Sequence, residues 1–222
     1  MFAPVLVIGL LLLIGLFGGL VVLIVVVHQR RQAQLRQRAA AAAQLGWYPV
    51  PPNPWLAQVT ENLFQHGQAD EMFAGDFLGR GMCVLDYTYT TNDGQTEQQN
   101  PVHVVALNLP VALPPLTLSR ESGVRRIFGR RDLELESEAF NDAFRIGCAD
   151  DRYASAVLHP RMMEWMLFNP GLEWQFAGNA LVSWGTGHFV IADLLPRLEA
   201  MSGVVDRIPL FVLRDYGQPT YP

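Results

Sequence analysis

Nothing in the chain constrains it more than residues Val5 to Val27, VLVIGLLLLIGLFGGLVVLIVVV, which hold no charged and no polar side chain over 23 positions. At about 1.5 Å per residue a helix of that length reaches roughly 34 Å, enough to cross a bilayer's hydrocarbon core with some tilt. A cleaved secretory signal needs a basic leader, an apolar stretch of about 7 to 15 residues and a small-residue cleavage site directly after it. Here Met1-Phe2-Ala3-Pro4 carries only the terminal amine, and Ala39 to Ala43 are separated from the apolar run by HQRRQAQLRQR. The expectation is a transmembrane helix in a single-pass protein of the cell membrane. Within it Gly15 and Gly19 have the Gly-x-x-x-Gly spacing that lets two helices approach closely, which makes a homodimer a candidate assembly.

Arg30, Arg31, Arg36 and Arg38 follow the run, and no acidic residue appears before Glu61. An excess of arginine beside a span marks the cytoplasmic side, so the N-terminus is expected outside and the rest of the chain in the cytoplasm. The same four arginines are candidate contacts for anionic headgroups, at about 1 kcal/mol each near the surface, which makes the lipid bilayer an expected partner. From Gly46 onward the balance reverses: of the 16 arginines, 12 remain against 21 acidic residues, a surplus of nine negative charges. A surface of that sign argues against nucleic acid as a partner.

All 16 basic residues are arginine. The absence of lysine excludes a P-loop lysine, a Schiff-base lysine, the kinase strand lysine and a Ser-Lys nucleophile pair. Cys83 and Cys148 are expected to be free thiols in a reducing cytoplasm, with a disulfide between them open only if the topology is reversed. The five histidines, His28, His66, His103, His159 and His188, have none of the spacings suited to zinc, so neither a metal nor a cofactor is expected.

The chain divides by composition into a membrane helix with a basic juxtamembrane helix over 1–45, a proline-rich linker over 46–55, and an α+β domain over 56–222. Pro49, Pro51, Pro52 and Pro54 stop the Gln/Ala/Arg helix, since each lacks a backbone donor and restricts the residue before it. Beyond them LAQVTENLFQH predicts a short helix, and RGMCVLDYTYTT and PVHVVALNLP predict a hairpin about an Asn-Asp-Gly turn. GLEWQFAGNALVSWG predicts a second hairpin turning at Ala177-Gly178-Asn179, and HFVIADLLPRLEAM a final helix ended by Ser202-Gly203. The fold class expected is α+β: mainly an antiparallel sheet with two or three helices, preceded by one transmembrane helix.

Two clusters carry chemistry. Arg120, Arg125, Arg126, Arg130 and Arg131 stand beside Asp132, Glu134, Glu136 and Glu138; locally compensated surface charge accounts for them, and an anion site for phosphate or a headgroup is the functional alternative. The stretch FNDAFRIGCADDRYASAVLHPRMMEW places Cys148, Asp150, Asp151 and His159 close together. Phe144, Ile146 and Cys148 alternate as in a strand, so Asp150 or Asp151 is expected to cap the next helix by accepting backbone amide hydrogens, with His159 able to do the same at the following junction. The functional alternative is a hydrolase using Asp150, Asp151 and His159 as general base and acid, with Cys148 as nucleophile.

Phe140, Phe144, Ile146, Asp150, Ala154, Leu158 and Pro160, with Gly75 and Gly79 and the run LNLPVALPPLTL before them, resemble a family of bacterial, mostly actinobacterial, membrane-anchored proteins. The likeness covers Glu71 to Leu213 and implies a cytoplasmic α+β domain on a membrane helix, with no catalytic residues to carry over. The function expected is a membrane-tethered interaction or scaffold domain for a protein partner, and the alternative is a membrane-anchored hydrolase.

Overall fold

The computed structural model describes residues 35–92, 94, 96–120 and 135–219, together with nine helical positions between 19 and 33. The chain forms two compact units, Met1–Leu45 and Gly46–Pro222. In the first, residues 35–44 are helical. The expectation of a transmembrane helix is corrected here: no helix among the described residues is long and apolar enough to cross a membrane. The continuously described helix contains Arg36 and Arg38 within ten residues, and a charge at the centre of a span costs about 2.5 to 3.5 kcal/mol. Residues 1–18, which hold most of the apolar run and Gly15, lie outside the described residues. No single-pass anchor is present among the described residues.

Among the described residues of the second unit eight strands form one sheet: β1 (Tyr48–Val50), β2 (Gly67–Phe77), β3 (Arg80–Asn92), β4 (Glu97–Asn108), β5 (Leu116–Ser119), β6 (Arg145–Cys148), β7 (Trp174–Ala177) and β8 (Ala180–Thr186). Their order is β1-β2-β3-β4-β8-β7-β5-β6, and every pairing is antiparallel. Among the described residues six helices accompany it: α1 (Pro54–Leu63), α2 (Glu138–Ala143), α3 (Asp151–Val157), α4 (Pro160–Phe168), α5 (Ile191–Arg207) and α6 (Leu210–Asp215). The sheet is as expected in kind, but six helices replace the two or three anticipated. The helices without a counterpart in the sequence are α2 and α6, of six residues each. Helices below two turns leave no readable apolar period.

Alternation along the central strands sorts side chains between the two faces. Leu85 and Tyr87 of β3, Val102, Val104 and Ala106 of β4, and Val182 and Trp184 of β8 pack with Leu56 and Leu63 of α1 in one buried cluster. Full burial of each aliphatic side chain is worth about 1.5 to 3 kcal/mol. The alternate residues, including Val84, Val105 and Leu181, are also buried, so the middle of the sheet is covered on both faces. On this second face Phe73 of β2 meets Phe189 edge-on, with ring centroids 5.7 Å apart.

Segment 46–55, expected as a linker, has structure of its own. Tyr48–Val50 pairs with Met72–Ala74 as β1. Trp47 donates its indole hydrogen to the Asp76 carbonyl at 3.2 Å, and its ring lies on Gly75, where a Cβ would come within 2.3 Å of it. Asn53 caps α1 by accepting from the Trp55 amide at 2.8 Å, and Pro54 supplies the first helical residue, where its missing N–H costs nothing.

α5 runs through Ser202-Gly203 to Arg207 rather than stopping there. Gly203 is a packing residue: a Cβ would stand 2.3 Å from Cζ2 of Trp165 on α4. The Trp165 indole donates to the Ala200 carbonyl at 3.3 Å, and the Arg207 guanidinium lies 3.8 Å over the Trp165 ring. At its far end α5 is tied to the β2–β3 turn, where Arg80 donates to Ser202 Oγ at 2.8 Å and to Asp206 Oδ1 at 2.6 Å. Gly203→Ala is therefore expected to destabilise the domain by about 1 to 3 kcal/mol through overpacking, despite alanine's better helix propensity. Chemical denaturation followed by tryptophan fluorescence measures the difference, and a stability at or above wild type would refute the packing role.

Candidate functional site

Asp150, His159 and Cys148, singled out by the sequence, direct their side chains to backbone partners. Asp150 Oδ1 accepts from the amides of Arg152 at 2.9 Å and Tyr153 at 3.1 Å, capping α3 as expected. Asp151 stands in the first turn, and its carbonyl accepts from the Ser155 hydroxyl at 2.8 Å. His159 precedes α4 without capping it; its Nε2 donates to the Arg207 carbonyl at 3.0 Å, joining the start of α4 to the end of α5. The Cys148 thiol donates to the carbonyls of Pro115 and Asp150, and burial raises its pKa, away from the thiolate a nucleophile needs. These four residues do not assemble into a catalytic group.

Cys83 and Cys148 are both free and half-buried. They lie on β3 and β6, with four strands between them. Five steps at about 4.8 Å separate them by roughly 24 Å, far beyond disulfide reach. Burial lifts Cys83 to about 11. Of the arginines, Arg36 and Arg38 are helical residues of the first unit, while Arg30, Arg31, Arg125, Arg126, Arg130 and Arg131 lie outside the described residues. Arg120 is described, and its backbone amide donates to Glu173 Oε1 at 2.7 Å. Gly19 is helical.

A different constellation emerges from the sheet. Asp86 of β3 is directly opposite His103 of β4, and His103 is directly opposite Gly185 of β8, so three central strands contribute one row on the face covered by α5. Asp86 Oδ1 accepts from the Phe189 amide at 2.9 Å, and Oδ2 accepts from His188 Nδ1 at 3.2 Å. The Asp86 side chain is 2% exposed and that of His188 57%. His103 Nδ1 donates to the Gly187 carbonyl at 2.9 Å, which fixes the tautomer of the neutral ring and leaves Nε2 without a hydrogen. Arg197 of α5 donates through Nη1 to Ser183 Oγ at 3.0 Å and to the Trp184 carbonyl.

Gly185 is what lets these groups meet. A Cβ there would lie 2.6 Å from His103 Nε2 and 2.9 Å from Arg197 Nη2. The His103 pKa is lowered, first by burial and then by the nearby Arg197 charge, against the Gly187 carbonyl, Asp86 and Asp193, which act in the opposite direction. Burial likewise lowers Arg197, with Glu173 opposing. Chemically the cluster is a His–Asp pair with its imidazole in water, a second neutral imidazole and a half-buried guanidinium. Ser183 is fully buried and accepts from Arg197, so it does not present a nucleophile to solvent. Among the described residues no group of three or more His, Cys, Asp or Glu is placed to hold a metal ion.

The arrangement fastens the β8–α5 connection, with Gly187, His188 and Phe189 each tied to β3 or β4. Spacing along the chain could not reveal it, since Asp86 and Phe189 are 103 residues apart. One signal was present: Asp86 interrupts the apolar series Val84, Leu85, Tyr87 at a position facing the interior, and a carboxylate there requires partners.

The same fold occurs in a mycobacterial transport factor. The crystal structure of the mycobacterial trehalose monomycolate transport factor A, TtfA, matches 84% of this chain and 97% of its own with a TM-score of 0.56. Identity between the two is 14%, so the likeness is one of fold. No protein-family model and no curated protein matches the chain. The neighbour's mycobacterial origin agrees with the actinobacterial part of the resemblance drawn from the sequence.

Two substitutions separate fastening from surface decoration. Asp86→Ala removes the carboxylate that binds the buried Phe189 amide and is expected to cost about 1 to 3 kcal/mol. His188→Ala removes the exposed half of the pair and should cost less than about 1 kcal/mol. Urea denaturation of both variants checks the order, and equal costs would contradict it.

Proposed function

We propose that the Gly46–Pro222 unit is a non-catalytic interaction domain that serves as an accessory factor in the transport of a glycolipid, by binding a protein of the transport machinery. The observation carrying this reading is the fold match that spans 97% of the trehalose monomycolate transport factor. It is supported by the way Asp150, His159, Cys148 and His103 bond the chain's own backbone and Asp86 bonds the Phe189 amide and the His188 ring, as residues that hold a fold do. The surplus of acidic residues supports a protein partner over nucleic acid.

Deleting the gene in the organism that encodes the chain should trap the glycolipid on the side where it is made, read by thin-layer chromatography of cell-surface and whole-cell lipid extracts. A version carrying Asp150→Asn, Asp151→Asn and His159→Gln keeps the hydrogen-bonding geometry and removes acid–base chemistry, so it should restore transport fully. Unchanged glycolipid distribution on deletion would refute the transport role. Failure of a stably produced triple variant would point instead to catalysis.

A further inference from the structure

His103 and Arg197 approach each other over a residue with no side chain. Both Nε2 of His103 and Nη2 of Arg197 lie within 3 Å of the point a Gly185 Cβ would occupy, so the two nitrogens are no more than about 5.5 Å apart. In the neutral ring Nδ1 carries the hydrogen, given to the Gly187 carbonyl. Nε2, the nitrogen toward Arg197, is the one that gains a proton in acid. Protonation of His103 therefore places a second cation beside Arg197 in a half-buried space.

We infer that the juxtaposition of His103 and Arg197 over Gly185 is an acid-sensitive latch: the N-terminal half of α5 stays docked on the sheet through Arg197 at neutral pH and loosens when His103 protonates. Charged and titratable groups face the ring from several elements. Asp86 faces it from β3, Arg197 and Asp193 from α5, and His188 stands in the connection, bonded to Asp86; Glu173, ahead of β7, acts on Arg197. Burial and Arg197 oppose protonation, while Asp86, Asp193 and the Gly187 carbonyl favour it, and the first two prevail.

The sign follows from proton linkage. A histidine whose folded pKa lies below its unfolded value contributes stability that is fully present above the unfolded pKa, about 6.5, and is lost as pH falls below it. The release is local because α5 has a second fastening. Arg80 holds Ser202 and Asp206 at its C-terminal end, so that end stays docked while the Arg197 end loosens.

Hydrogen exchange of the full chain, read by mass spectrometry and normalised to the intrinsic rate at each pH, tests this directly. Between pH 7.5 and 5, protection of residues 191–198 should fall, by at most about tenfold per pH unit, the limit for uptake of one proton. Protection of residues 200–207 should change little. His103→Asn, which keeps a donor for the Gly187 carbonyl but does not titrate, should abolish the fall, and His188→Asn should retain it. Should His103→Asn fail to fold, an NMR titration of the wild-type His103 ring decides the matter, with a midpoint below 6.5 expected. Flat protection of 191–198, an undiminished fall in His103→Asn, loss of the fall in His188→Asn, or a His103 midpoint at or above the ordinary value would each overturn the latch.

Discussion

Asp86 is a carboxylate in the third strand of an eight-stranded sheet, and its burial sets conditions that much of the surrounding structure meets. An ionised carboxyl in an apolar interior costs several kcal/mol unless it is bonded, so the chain must bring donors to it. The Phe189 amide and the His188 ring are those donors. Their arrival fixes where β8 ends and how α5 begins, and places Arg197 against the edge of Ser183 and Trp184. Phe189, drawn in by the same bond, fills the space against Phe73.

What could be read from the chain beforehand follows from the range of each interaction. The β3–β4 and β7–β8 hairpins were legible because turn chemistry and alternation lie within a few residues of one another. The Asp150 cap was legible for the same reason. Gly203 was misread as a helix stop, since glycine both ends helices and admits a neighbouring ring, and only the position of Trp165 decides between them. Segment 46–55 was misread as a linker because prolines mark irregular backbone, whereas Trp47 and Tyr48 find their partners on β2. The polar row of Asp86, His103 and Gly185 depends on strands distant in sequence. Of its members Asp86 alone carried a local signal, an acid in an apolar series.

Chemistry-bearing residues crowd together in the sequence from Cys148 to His159 and then disperse in the fold. Cys148 ends the edge strand, Asp150 turns to α3, and His159 reaches across to α5. The residues that do converge, Asp86, His103, His188 and Arg197, are scattered along the chain. Proximity in sequence is a poor guide to a site wherever strands and helices alternate, because each element turns the next side chain toward a different neighbour.

The sheet order has a consequence for how the protein is made. β4 has β3 as a neighbour as soon as both have emerged, but its other side pairs with β8, and Val104 and Trp184 are 80 positions apart. At synthesis rates of about 5 to 20 residues per second, β4 waits roughly 4 to 16 seconds with an unpaired edge. That edge belongs to a strand bearing Val102, Val104, Val105 and Leu107, which are later buried, and an exposed apolar edge invites pairing with other chains. The nascent chain thus has a defined interval of vulnerability, which closes when β8 leaves the ribosome and slots into the centre of the sheet.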